Sequence, residues 1–137
     1  MTETEQVFDF PGGRVISNQA DITLVNNTAL TTRITVPADM RWFFWGGSSL
    51  NADNVGRRLE VTIDDGTDIL HYVYDGDVGA GVRSTFPANQ DSQRNSQGLP
   101  FPLSPGWRIN FIFSAGGASA GGTGEIAAVV TQLRVGA

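Results

Sequence analysis

The chain of 137 residues contains no cysteine and no lysine. Without thiols there are no disulfide staples, no thiolate zinc sites and no cysteine nucleophile. Without lysine there is no Schiff-base chemistry and no Walker phosphate loop. Charge is scarce: charged residues make up 17%, against roughly 25% in average soluble proteins. The formal charge is −5 and all nine basic residues are arginine. An arginine-only set fits a GC-rich genome, or selection for planar, multi-donor contacts at interfaces. Only Arg57 and Arg58 are adjacent, so the clustered basic face that nucleic-acid binding needs is missing. No apolar run approaches the length of a membrane-spanning helix. The stretch Met1 to Asp9 is acidic, with neither a basic region nor an apolar core, and does not read as a signal peptide.

Glycine and alternating apolar residues are what the chain has in quantity. There are 17 glycines, well above the usual share of about 7%. Period-two alternation, the mark of a half-buried strand, recurs along the chain. It appears at Ala20-Ile22-Leu24, Leu30-Thr32-Ile34-Val36, Leu59-Val61-Ile63 and Trp107-Ile109-Phe111-Phe113. In the last strand, Ala127, Val129, Thr131, Leu133 and Val135 share one face. Four consecutive aromatics, Trp42 to Trp45, must split between two faces of a strand, so both faces need cover. No segment shows convincing helical periodicity. Asp64-Asp65-Gly66-Thr67 reads as a hairpin turn. Three stretches read as long loops: Gly46 to Gly56, Asp75 to Gly98 (with a short strand near Val78, Val82 and Phe86), and Ser114 to Gly124. The expected fold is all-β: one antiparallel sandwich or jelly roll of about eight strands with long Gly-rich loops. Residues 1–19 are expected to form an N-terminal arm and first short strand, and residues 20–137 the sandwich.

Motifs with chemical potential are weak. Gly117-Ala118-Ser119-Ala120-Gly121 matches the G-x-S-x-G nucleophile pattern, but it lies in a Gly/Ala/Ser stretch with no histidine after it. His71 is the only histidine and reads as a hydrogen-bonded core or interface residue. The carboxylates Asp64, Asp65, Asp68, Asp75 and Asp77 cluster, as calcium ligands or glycosidase acids do. No EF-hand spacing is present, and Asp with Gly is ordinary turn chemistry. The expectation is therefore no enzyme, no cofactor and no metal.

The corner Val36-Pro37-Ala38-Asp39-Met40-Arg41-Trp42 resembles the V-P-A-G-x-x-W corner of small β proteins in tailed-phage particles. Arg58 to Gly66 is similar to their central strand and hairpin. Leu99 to Ile109 is similar to their P-L-x-L-x-P-G-x-x-I entry to a penultimate strand. The resemblance covers most of residues 20–135, and Asp39 stands where the family has glycine. It implies a jelly-roll virion protein of the head decoration (cement) type. Such a protein would be a homotrimer on the capsid exterior, made in the host cytoplasm and bridging major capsid subunits. Neither nucleic acid nor membrane is an expected partner. The alternative is a receptor- or glycan-binding adhesive module of a tail fibre or spike. The residues expected at an interface are Phe8, Phe10, Pro11, Arg41, Phe43, Trp45, Arg83, Phe86 and Arg94.

Overall fold

The computed structural model describes residues 5–10, 13–24, 28–88, 100–114 and 122–135. Among them are ten strands and no helix: β1 (Glu5–Phe10), β2 (Gly13–Leu24), β3 (Leu30–Thr35), β4 (Met40–Asn51), β5 (Arg57–Asp64), β6 (Ile69–Val78), β7 (Arg83–Pro87), β8 (Phe101–Leu103), β9 (Arg108–Phe113) and β10 (Gly122–Arg134). They form two antiparallel sheets. One runs β1-β2-β10-β4-β7, with β8 also on β4, and the other runs β3-β9-β5-β6.

The pairing is nested. β2 joins β10, β3 joins β9, β4 joins β7 and β8, and β5 joins β6. Successive strands from β2 to β5 alternate between the sheets. A long antiparallel ribbon rolled in this way is a jelly roll. The excess over eight strands has two sources. β1 adds an edge strand to β2, and one strand position is split between β7 and β8, which pair successive stretches of β4. β2 runs unbroken across positions 19 and 20, where the arm was expected to end.

The core lies between the sheets. Trp42, Phe44, Leu59, Val61, Ile63, Ile109, Phe111, Phe113, Ile126 and Val130 are all buried there. The corners Val36–Trp42 and Leu99–Ile109 meet beside it. Val36 N donates to Trp107 O at 2.8 Å, and Gly106 N donates to Val36 O at 3.0 Å. Gly106 has φ +84, and Trp107 N closes its turn onto Ser104 O at 3.1 Å. This is the left-handed geometry that a Pro-Gly turn supplies. Asp39, in the other corner, accepts a hydrogen bond from Arg134 at 2.9 Å. A buried ion pair closes one end of the sandwich. Arg57 holds Asp53 at 2.9 Å and donates to the carbonyls of Thr28 and Ser114, each at 3.1 Å.

All three expected loops are shorter than read from the sequence, and the short strand expected near Phe86 is present as β7. β4 continues through Gly46 and Gly47 to Asn51. These glycines serve close approach: a Cβ at Gly47 would stand 2.4 Å from Ala127 O and 3.0 Å from the Phe86 ring. The stretch after Asp75 contains the end of β6 and all of β7. The Ser114 to Gly124 loop is shortened by β10, which begins at Gly122, and residues 115–121, including the G-x-S-x-G match, lie outside the described residues.

Candidate assembly face and the opposite recess

The apolar stripe of β10 is the starting point. The residues that enter the core are Ile126, Ala128 and Val130. Ala127, Val129, Thr131 and Leu133, the stripe picked out from the sequence, therefore face outward. Register places Arg41 beside Leu133, and Phe43 beside Thr131. Phe43 is also paired with Pro102 on β8.

Trp45 reaches this face through a bulge. Val129 pairs with Gly46 and Val130 with Phe44, so Trp45 is the extra residue on β4. The bulge falls where the edge partner of β4 changes from β8 to β7. The Trp45 indole N–H donates to Thr131 Oγ1 at 2.7 Å, tying the ring to the outer surface, where it is 37% exposed. Phe43, Val129 and Leu133 are half-buried and Arg41 is exposed. Arg41 has no acid partner among the described residues. Aromatics and arginine on one sheet face are the composition of an interface centre.

The other expected interface residues are dispersed. Arg83 is on the same sheet face but at its polar half, paired with Glu125 at 3.4 Å. Phe86 is a correction. It is 5% exposed, stacked on Tyr74 at 5.1 Å between ring centroids, and covers Gly47 from inside. Its ring fills the space that Gly47 leaves, so it belongs to the core. Phe8 and Phe10 lie on β1, at the sheet edge. Pro11 and Arg94 lie outside the described residues.

The outer face of the four-stranded sheet is built differently. Asp64, at the end of β5, accepts from Arg108 Nε at 2.8 Å, Asn110 Nδ2 at 2.5 Å and Gly66 N at 2.7 Å. Asn110 also donates to Thr62 at 3.2 Å and accepts from Arg33 Nε at 3.0 Å. The network crosses β3, β9 and β5 and floors a recess of about 270 Å³. Burial pushes the Asp64 carboxyl up, but the Arg108, Asn110 and Gly66 donors outweigh it and hold it below the usual carboxylate range. Asp65 caps the hairpin, accepting from Thr67 N and Asp68 N, each at 2.8 Å. Arg58 clasps Asp75 at 2.6 and 2.5 Å. Asp64, Asp65 and Asp75 are thus engaged in turn and strand contacts, and the described residues contain no cluster of metal-ligating side chains. His71 stacks on Phe101 at 4.5 Å, with Nε2 at 3.2 Å from Ala88 O, and among the described residues no acid or nucleophile is bonded to it. Arg33, Arg108 and Asn110 were missed as a group. Their only sequence signal is that they are polar residues on the outward phase of β3 and β9.

No family model matches the chain, and no curated protein does. Among solved structures it is similar to a chain of infectious bursal disease virus Gx strain (13% identity, TM-score 0.47, 90% of this chain and 34% of that one). It is also similar to a chain of the cyanophage Pam1 capsid (12% identity, TM-score 0.46, 98% and 97% covered). A third likeness is to a chain of Bacillus endospore appendages, which are disulfide-linked pili (12% identity, TM-score 0.43, 95% and 98% covered). The chain spans about a third of the length of the bursal disease virus protein. The jelly-roll assignment rests on the strand order and register described above.

Proposed function

We propose that this chain is a structural virion protein: a decoration or cement protein that binds the outside of a phage head and bridges major capsid subunits, as a homotrimer. It makes and breaks no bond in that role. One observation carries the reading. The outer face of the six-stranded sheet presents Arg41, Phe43, Trp45, Val129 and Leu133 together, on top of a core already complete without them. Half-buried aromatics beside an arginine without an acid partner among the described residues suit burial against a second protein. The resemblance of the Val36–Trp42 and Leu99–Ile109 corners to small phage β proteins supports the same reading, and those corners pair with each other in space. A small domain held by several neighbours gains stability by mass action. β1, at the edge of the same sheet, extends the contact surface and offers an edge for strand addition.

The test is occupancy on purified particles. Phe43→Ala and Trp45→Ala should each weaken attachment by about 2 kcal/mol, roughly 30-fold, the scale of an interface hot spot. Removing residues 1–13 should weaken attachment while leaving the sandwich folded. Full occupancy by all three variants would end this reading.

A further inference from the structure

The recess on the four-stranded sheet lies on the side of the sandwich opposite the aromatic face, so docking of one leaves the other open. Its hydrogen-bonding capacity is only partly used. Arg33 and Arg108 are both held through Nε, by Asn110 and Asp64 respectively. Their remaining guanidinium N–H groups have no partner among the described residues. Both residues line the recess. Thr31 and Thr67 add hydroxyls to its wall, and the Asp68 carboxylate, also without a partner among the described residues, adds an acceptor. Donors and acceptors are therefore both on offer. The charges cancel: two arginines face Asp64 and Asp68. With the formal charges of the lining summing to zero, long-range attraction for an anion is small.

Apolar surface completes the site. Ile69 and Ile112 line the recess. Tyr72 pairs in register with Thr62, which lines the recess, and so stands on the same sheet face beside that residue, 60% exposed. A concave site with a few oriented polar groups and an apolar flank is the usual form of a small-ligand site. The ligand that matches has hydroxyls that both give and accept hydrogen bonds, an apolar C–H face for the tyrosine ring, and no charge. We infer that the recess lined by Arg33, Arg108 and Asp68, with Tyr72 next to it on the same sheet face, binds a neutral saccharide. The buried Asp64–Asn110 pair acts as positioning residues, holding the two guanidinium groups apart at a set spacing.

The experiment uses the full chain on an array of neutral oligosaccharides and their sialylated or uronic-acid counterparts, with each hit titrated by calorimetry. A neutral oligosaccharide should bind, and added salt should leave its affinity unchanged. Tyr72→Ala and Arg33→Ala should each lower that affinity at least tenfold with the far-ultraviolet spectrum unchanged. Tyr72 is exposed, so its replacement separates binding from folding. Binding to no glycan, binding only to acidic glycans, or affinity that survives both substitutions would overturn the inference. Phe43→Ala and Trp45→Ala should leave glycan affinity intact, while Tyr72→Ala should leave particle occupancy intact. The two readings therefore fail separately.

Discussion

On the outer face of the six-stranded sheet the strand positions are taken by Phe43, Val129 and Leu133. On the outer face of the four-stranded sheet they are taken by Thr62, Asn110 and Arg108. Both faces arise from the same alternation over the same kind of core. The first leaves apolar area half-exposed, with Trp45 tied to the sheet by a single hydrogen bond to Thr131. The second carries a network in which Asp64 and Asn110, both buried, are bonded on every side. The first face is costly to expose and gains by being covered. The second has its buried carboxylate and amide satisfied internally, with spare hydrogen-bonding groups only toward solvent, and contributes to the stability of the free protein. A sandwich has two outer faces, and here they are built from different kinds of residue.

That contrast makes its largest prediction about stability. Asn110→Ala leaves Asp64, Thr62 and Arg33 short of a partner, and should cost about 3 kcal/mol, the upper range for a buried polar group left unpaired. Trp45→Ala removes a part-exposed ring and should cost the isolated protein about 1 kcal/mol. Urea unfolding of both variants, with unchanged slope, measures the two values. If Trp45→Ala proves the more damaging to the free monomer, the aromatic face is part of the fold and the contrast collapses.

Acid should expose the same difference with a smaller effect. The Asp64 carboxyl titrates below its ordinary range in the folded chain, whereas in the unfolded chain it titrates near about 3.9. Above that value both states are ionised and the stabilisation is fully present. As pH falls through the unfolded value toward the folded one, the unfolded chain takes up the proton first and stability is lost. Melting temperature should therefore fall below about pH 4. Asp64→Asn should start less stable and show a shallower acid limb, and Trp45→Ala should keep the parent profile. An acid limb in Asp64→Asn as steep as the parent's would assign the titration elsewhere.

Much of the architecture was legible because a half-buried strand writes its geometry directly as alternation. Leu59-Val61-Ile63 and Ile109-Phe111-Phe113 face the core as read. The hairpin at Gly66 was legible too, since its φ of +101 suits glycine. β10 was misread for a physical reason. Both of its stripes are apolar, and alternation alone cannot say which of two apolar stripes meets the core. Gly46 and Gly47 were read as loop because close backbone approach and turning call for the same residue. The recess was invisible because its parts come from four strands and a hairpin turn, with Arg33 and Asn110 separated by 77 positions. Only strand register brings them together.

The smallest predicted effect lies between the two faces. Ser49 is fully buried on the inward side of β4, opposite Ile126 and Ser84, and its hydroxyl has no partner among the described residues. Among the described residues every other buried polar side chain is bonded or paired, so this hydroxyl is the one desolvated side-chain group there without return. Replacing it with hydrogen removes the desolvation cost while keeping Cβ in place against Ile126. Ser49→Ala should raise stability by up to about 1 kcal/mol, with attachment and glycan affinity unchanged because neither outer face is touched. A loss of comparable size would mean that the hydroxyl has a bonded partner. The interior would then share the polar character of the four-stranded face instead of separating the two faces with a purely apolar layer at this position.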